Sequence, residues 1–60
     1  MTSIENLVNQ YNTAKDAYAK TQGGTQDPNW IAMGAAVQEA DSTGRGKEFT
    51  KAVIKTVRYN

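Results

Sequence analysis

The sequence predicts an all-α fold, a small three-helix bundle with helices over residues 3–21, 28–40 and 46–58. Three observations carry that reading. Apolar residues recur at steps of three and four in three separate segments. Two glycine-bearing joints, near 21–26 and 41–46, fall between those segments and suit the short connections of helical bundles. The 60 residues contain no Cys and no His, which removes disulfide frameworks and zinc-finger spacings as other ways to hold a small scaffold together. Residues 1–60 therefore form one small helical domain.

In the first segment Thr2 and Ser3 are candidate caps, and Glu5 stands three residues after Thr2, the spacing of a capping box. Ile4, Leu7, Val8, Tyr11, Ala14, Ala17 and Tyr18 then mark one side of an amphipathic helix. The run "TQGGTQ" ends it, because paired glycines favour left-handed or loop backbone. The second segment opens at "DPNW". Asp27 suits the N-cap, and Pro28 suits the first helical position, where its missing N–H is no loss. Trp30, Met33, Val37 and Ala40 are expected to line one stripe, with Ile31 and Ala36 beside it. Gly34 lies inside this helix and costs about 1 kcal/mol relative to Ala. In the third segment Phe49, Val53 and Val57 are four apart, flanked by Ala52 and Ile54, with Lys47, Lys51 and Lys55 on an adjacent face. Thr50, Val53, Ile54, Thr56 and Val57 favour β structure, so an extended third segment is the alternative to a helix.

The absence of His and Cys also narrows the chemistry. Acid–base work would fall to Asp, Glu, Lys or Tyr. Glu39 and Asp41 are close in sequence, but two positions apart on a helix they point to different faces. Neither a catalytic site, a metal site nor a cofactor is expected, and the protein is read as a non-enzyme. No segment is long and apolar enough to span a membrane, and "MTSIENLVNQ" lacks the basic start and apolar run of a signal peptide. The expected location is the cytoplasm. The chain opens on Met and reads as a complete small open reading frame, of the size common among phage and mobile-element accessory proteins.

Charge is distributed unevenly. Residues 1–41 carry two lysines against five carboxylates, a net −3, and residues 42–60 carry five cations against one carboxylate, a net +4. The stretch "DSTGRGKEF", residues 41–49, lies where the sign changes, and three readings compete for it. As a phosphate loop it fails: Gly46-Lys47 match the centre of the motif, but Asp41 replaces its first Gly and Glu48 its Ser/Thr. As the turn of a helix-turn-helix it has a basic helix following, and Ala40 and Gly44 have the right spacing. Thr43 and Thr50, however, stand where apolar residues belong, and the joint reads as long for a tight turn. A flexible joint fits best, with Gly44 capping the second helix and Arg45 and Lys47 solvated.

One further likeness is set aside: "WIAMGAAV" echoes the start of a tetratricopeptide repeat, which needs at least three copies to bury a core. Trp30 and Phe49 are expected in the core, as the largest side chains of a small bundle.

The expected function is that of a small interaction protein that docks on a protein partner as an inhibitor, adaptor or accessory factor. The candidate docking residues are Arg45, Lys47, Lys51, Lys55, Arg58 and Tyr59. A chain of this length buries only about 60% of its unfolded surface, so a homo-oligomer is a natural extension. A nucleic-acid module using the basic third helix and a structural component of a larger particle such as a virion are the alternatives.

Overall fold

The protein, a computed structural model, is described here over residues 3–57. Within that range the expected all-α architecture is present: α1 spans Ile4–Thr21, α2 Pro28–Ser42 and α3 Gly46–Val57, and one 3-10 turn, Gly24–Gln26, lies between α1 and α2. The third segment is helical, not extended.

Local chemistry sets each boundary. Ser3 is the N-cap of α1, its Oγ accepting the Asn6 N–H at 3.2 Å. The third residue beyond the cap is thus Asn6, so Glu5 has no place in a box built on Ser3; Thr2 lies outside the described residues. At the other end the left-handed position is taken by Gln22, φ 50°, whose N–H donates to Tyr18 O at 2.8 Å. Of the paired glycines, Gly24 takes left-handed backbone, φ 74°, where the 3-10 turn begins, and Gly23 has a different role. Gly23 donates its N–H to Asp27 Oδ2 at 3.2 Å, and a Cβ at Gly23 would stand 2.7 Å from that same oxygen.

Asp27 ties the two helices together. Its Oδ1 caps α2 by accepting the Asn29 N–H at 2.8 Å, while Oδ2 accepts from Gly23 N–H and the Thr21 hydroxyl. It is the buried charged residue among those described, and its hydrogen bonds offset the cost of taking a carboxylate from water. The Thr21 hydroxyl first, then the Asn29 and Gly23 N–H groups, hold its pKa below the ordinary aspartate value.

The second joint is shorter and more ordered than the sequence suggests. α2 runs two residues past its expected end, to Ser42, and α3 begins at Gly46. The residues between form a Schellman turn. Gly44, at φ 77°, donates to Asp41 O at 3.0 Å, and Arg45 N–H donates to Ala40 O at 2.9 Å. The Ser42 hydroxyl donates to Glu39 O at 2.9 Å and the Thr43 hydroxyl to Ala40 O at 3.0 Å. With its last carbonyls satisfied in this way, the joint is a defined corner and not a flexible link.

The core lies where the three helices meet. Ile4, Leu7 and Val8 of α1 pack with Ala36 and Ala40 of α2 and Phe49 of α3, while Tyr11, Ala52 and Val53 close its edge. Ala36 and Ala40 are fully covered, 0% exposed, so α2 meets α1 through its smallest side chains and the α1–α2 contact is the most extensive of the three. Phe49 is the anchor of α3, and Tyr11 sets its ring edge-to-face against it at 5.8 Å. Asn12 Nδ2 donates to Thr56 Oγ1 at 3.1 Å, a second tie between α1 and α3. The Cα trace measures 30 × 26 × 15 Å, a slab with two broad faces.

Candidate functional site

Helix α2 has apolar residues on two sides, and only one of them is used within the fold. Met33, Ala36 and Ala40 are buried, whereas Trp30 and Val37 are each 45% exposed and Ile31 is 58% exposed. The expected single stripe of Trp30, Met33, Val37 and Ala40 therefore divides. Ala40 joins Ala36 in the core, Met33 is buried at the edge of a hollow it shares with Tyr11, and Trp30 and Val37 turn outward with Gly34 between them. Packing explains the division. α1 brings large side chains to the contact, so the facing positions on α2 are filled by alanines, and an indole does not fit there. The expectation that Trp30 is a core residue is corrected accordingly. Its ring rests on Tyr18 of α1 at 5.5 Å and leaves its other side to solvent.

The outward residues form a trough. A hollow of about 250 Å³ lies between Tyr11, Trp30, Met33, Gly34 and Val37. A wider one of about 770 Å³ lies where α2 turns into α3, floored by Val37 and Phe49 and rimmed by Asp41, Lys47, Thr50 and Lys51. Val37 belongs to both, so the two hollows adjoin. No charged residue occurs from Pro28 to Gln38, so the α2 side of the trough is uncharged until Asp41.

The six residues singled out from sequence have different fates. Lys47 and Lys51 stand exposed at the trough rim, and Lys55 continues their row along α3. Arg45 is engaged: its Nε donates to Glu48 Oε2 at 3.1 Å and its Nη2 to Glu48 Oε1 at 2.9 Å. That fork, through its hydrogen bonds first, holds the Glu48 pKa below and the Arg45 pKa above their ordinary values. It is the single ion pair among the described residues, and it leaves the three lysines as the outward charge of α3. Arg58 and Tyr59 lie outside the described residues.

The sequence reading missed the trough, although a signal for it was present. Trp30, Gly34, Val37 and Asp41 follow steps of four, three and four, a complete helical stripe of their own beside that of Met33, Ala36 and Ala40. Among the described residues no three acidic side chains gather into a possible metal site, and no helix is long and apolar enough to cross a membrane. The chain matches no protein-family model, no curated protein and no solved structure.

Proposed function

We propose that the chain is a small non-enzymatic docking protein whose α2–α3 trough receives a protein surface, in the cytoplasm, as an inhibitor, adaptor or accessory factor. One observation carries this reading: Trp30 and Val37 are both half-exposed on one side of an uncharged stretch of helix and line the same hollow. Scattered apolar residues on a surface need no explanation, but a contiguous set around a Trp has the composition of an interface centre. Lys47, Lys51 and Lys55 add a basic edge that steers an acidic partner toward the trough.

Capture from host lysate by the tagged chain tests the reading, with nuclease present and at high salt. Val37→Glu is the informative variant, because Val37 is half-exposed and Glu is a good helix former. A captured protein that Val37→Glu releases supports the trough. If every captured protein stays bound to Val37→Glu, the trough is not the docking site.

A second reading is favoured by the corner between α2 and α3. Three residues, 43–45, join a packed helix to a basic one, the length of the turn in helix-turn-helix modules. On this reading Lys47, Lys51 and Lys55 grip phosphate, and affinity for duplex DNA falls steeply with salt. Lys51→Glu with Lys55→Glu then abolishes the binding. Absence of any shift with DNA at low salt removes this reading.

A further inference from the structure

We infer that the occupant of the trough is an amphipathic helix of another protein, with carboxylates along one flank of its apolar stripe. The inference rests on the docking reading above and names the chemistry of the partner.

Charge selects the partner's flank. The chain has 6 carboxylates and 7 cations, and they are divided unequally about the trough. Glu5 and Asp16 lie more than a quarter-turn round α1 from Tyr11, and Glu39 lies on the opposite side of α2 from Val37. Asp27 is buried among its own hydrogen bonds, and Glu48 is held in the fork with Arg45. Asp41 is the one carboxylate on the rim, and it leans toward the corner: a Cβ on Gly46 would stand 3.2 Å from its Oδ1, so it lies over the first turn of α3, where the helix dipole favours it. The cations fall differently. Lys47 and Lys51 rim the wide hollow and Lys55 extends their row, while Lys15, half-buried, stands one turn beyond Tyr11 on the same side of α1. Lys20 is on the opposite side of α1 from Tyr11. Four lysines against one carboxylate concentrate positive charge about the trough of a chain whose net charge is only +1.

The lining selects the stripe. Trp30 and Val37 wall the trough, Phe49 floors it, and Ile54, 53% exposed, stands one turn beyond Thr50. A phosphate backbone would meet the lysines and leave this apolar lining uncovered. A second copy of the chain does not supply the missing combination either. Its described α1, which carries Glu5 and Asp16, exposes no large apolar residue, and on α2 Ile31 is more than two turns from Glu39. Backbone selects the helix. The trough lies among helices whose backbone groups are bonded within themselves, so an extended segment laid there finds no ladder to join. A helix brings its own hydrogen bonds and sets an apolar stripe into such a groove. Lys47, Lys51 and Lys55 recur every four residues, the interval at which a helix repeats carboxylates along one flank.

Trp30 is the single Trp of the chain, so its emission reports on the trough directly. The probes are synthetic helical peptides of about 20 residues without Trp or Tyr. One has a Leu stripe flanked by Glu, its twin has Lys for every Glu, and a third has the acidic composition in an order with no stripe. The expected result is a saturable blue shift with the acidic striped peptide, at an affinity at least about tenfold above that of either control and falling with salt. Val37→Glu abolishes the shift. Lys47→Glu with Lys51→Glu reverses the preference in favour of the basic twin; both sites are exposed, and circular dichroism confirms that the variant stays helical. Equal binding of the acidic and basic peptides, or a preference that the double variant does not reverse, overturns the acidic flank. Equal binding of the unstriped peptide overturns the apolar stripe. A shift produced by concentrating the chain alone, or by duplex DNA and by no peptide, gives the trough to a second copy or to nucleic acid and overturns the inference. So does the absence of any shift, and the lysate comparison with Val37→Glu then decides the docking reading separately.

Discussion

Asp27 concentrates more of the fold in one side chain than any other polar residue described. Its carboxylate caps α2, fixes Gly23 and receives the Thr21 hydroxyl, so it holds the end of α1 against the start of α2. Asp27→Ala removes the cap and leaves the Gly23 and Thr21 donors without this acceptor. The expected result is a melting temperature lower by at least about 4–8 °C, the shift that loss of one cap produces in a domain of this size. The pH dependence has a definite sign. The folded pKa of Asp27 lies below its value in the unfolded chain, so its stabilisation is complete above the unfolded value near 3.8 and is lost as pH falls through the folded value. Glu48, also lowered, acts in the same direction. Asp27→Asn keeps an N-cap but not the charge, so its melting temperature should fall less than that of the parent between pH 5 and pH 2. Parallel acid profiles for the two proteins would show that the Asp27 charge contributes nothing.

At the scale of the helices, the glycines separate positions with a backbone role from those without one. Gly44 stands at φ 77° in the Schellman corner, so Gly44→Ala forces Cβ into left-handed backbone and should cost about 1–2 kcal/mol in chemical denaturation. Gly34→Ala should stabilise the single chain by about 0.5–1 kcal/mol, because the added methyl meets nothing and Ala is the better helix former. The same contrast explains what could be read from sequence. Helix positions follow from local chemistry: Ser3, Asp27, Pro28 and Gly44 act within a few residues of themselves and mark the ends of their helices from the sequence. The division of α2 into an inner and an outer stripe is not local. Trp30 and Val37 fit a helical period as well as Met33 and Ala40 do, and what decides between them is the bulk that α1 presents across the contact. The second joint is shorter than its composition suggests for a related reason. Ser42 and Thr43 read as turn formers, but their hydroxyls donate to carbonyls of α2 and cap its last turn. Of the candidate docking residues, Lys47 and Lys51 reach the trough, and Arg45 is drawn off by Glu48, a pairing that the three-residue spacing already allowed.

At the scale of the whole molecule, a slab with one thin core depends on few anchors. The Cα radius of gyration, 11.3 Å, exceeds the about 10.4 Å expected of a compact 60-residue domain. α3 is held by the Schellman corner, the Asn12–Thr56 hydrogen bond and one large buried side chain, Phe49, 3% exposed. Removing that ring takes away the edge-to-face contact with Tyr11 and opens the core between Leu7, Val8, Ala36 and Ala40. Phe→Ala at a buried site costs about 3–5 kcal/mol, which is the whole stability that a single core supplies in a chain this short. Phe49→Ala should therefore show no cooperative thermal transition at low protein concentration, with helical circular dichroism well below that of the parent. Trp30→Ala, in contrast, removes a half-exposed ring at the margin and should keep a cooperative transition at a lower temperature. If Phe49→Ala melts as sharply as the parent, α3 is held chiefly by its corner and its hydrogen bond to α1, and the wide hollow floored by Phe49 is not a rigid receptor for any partner.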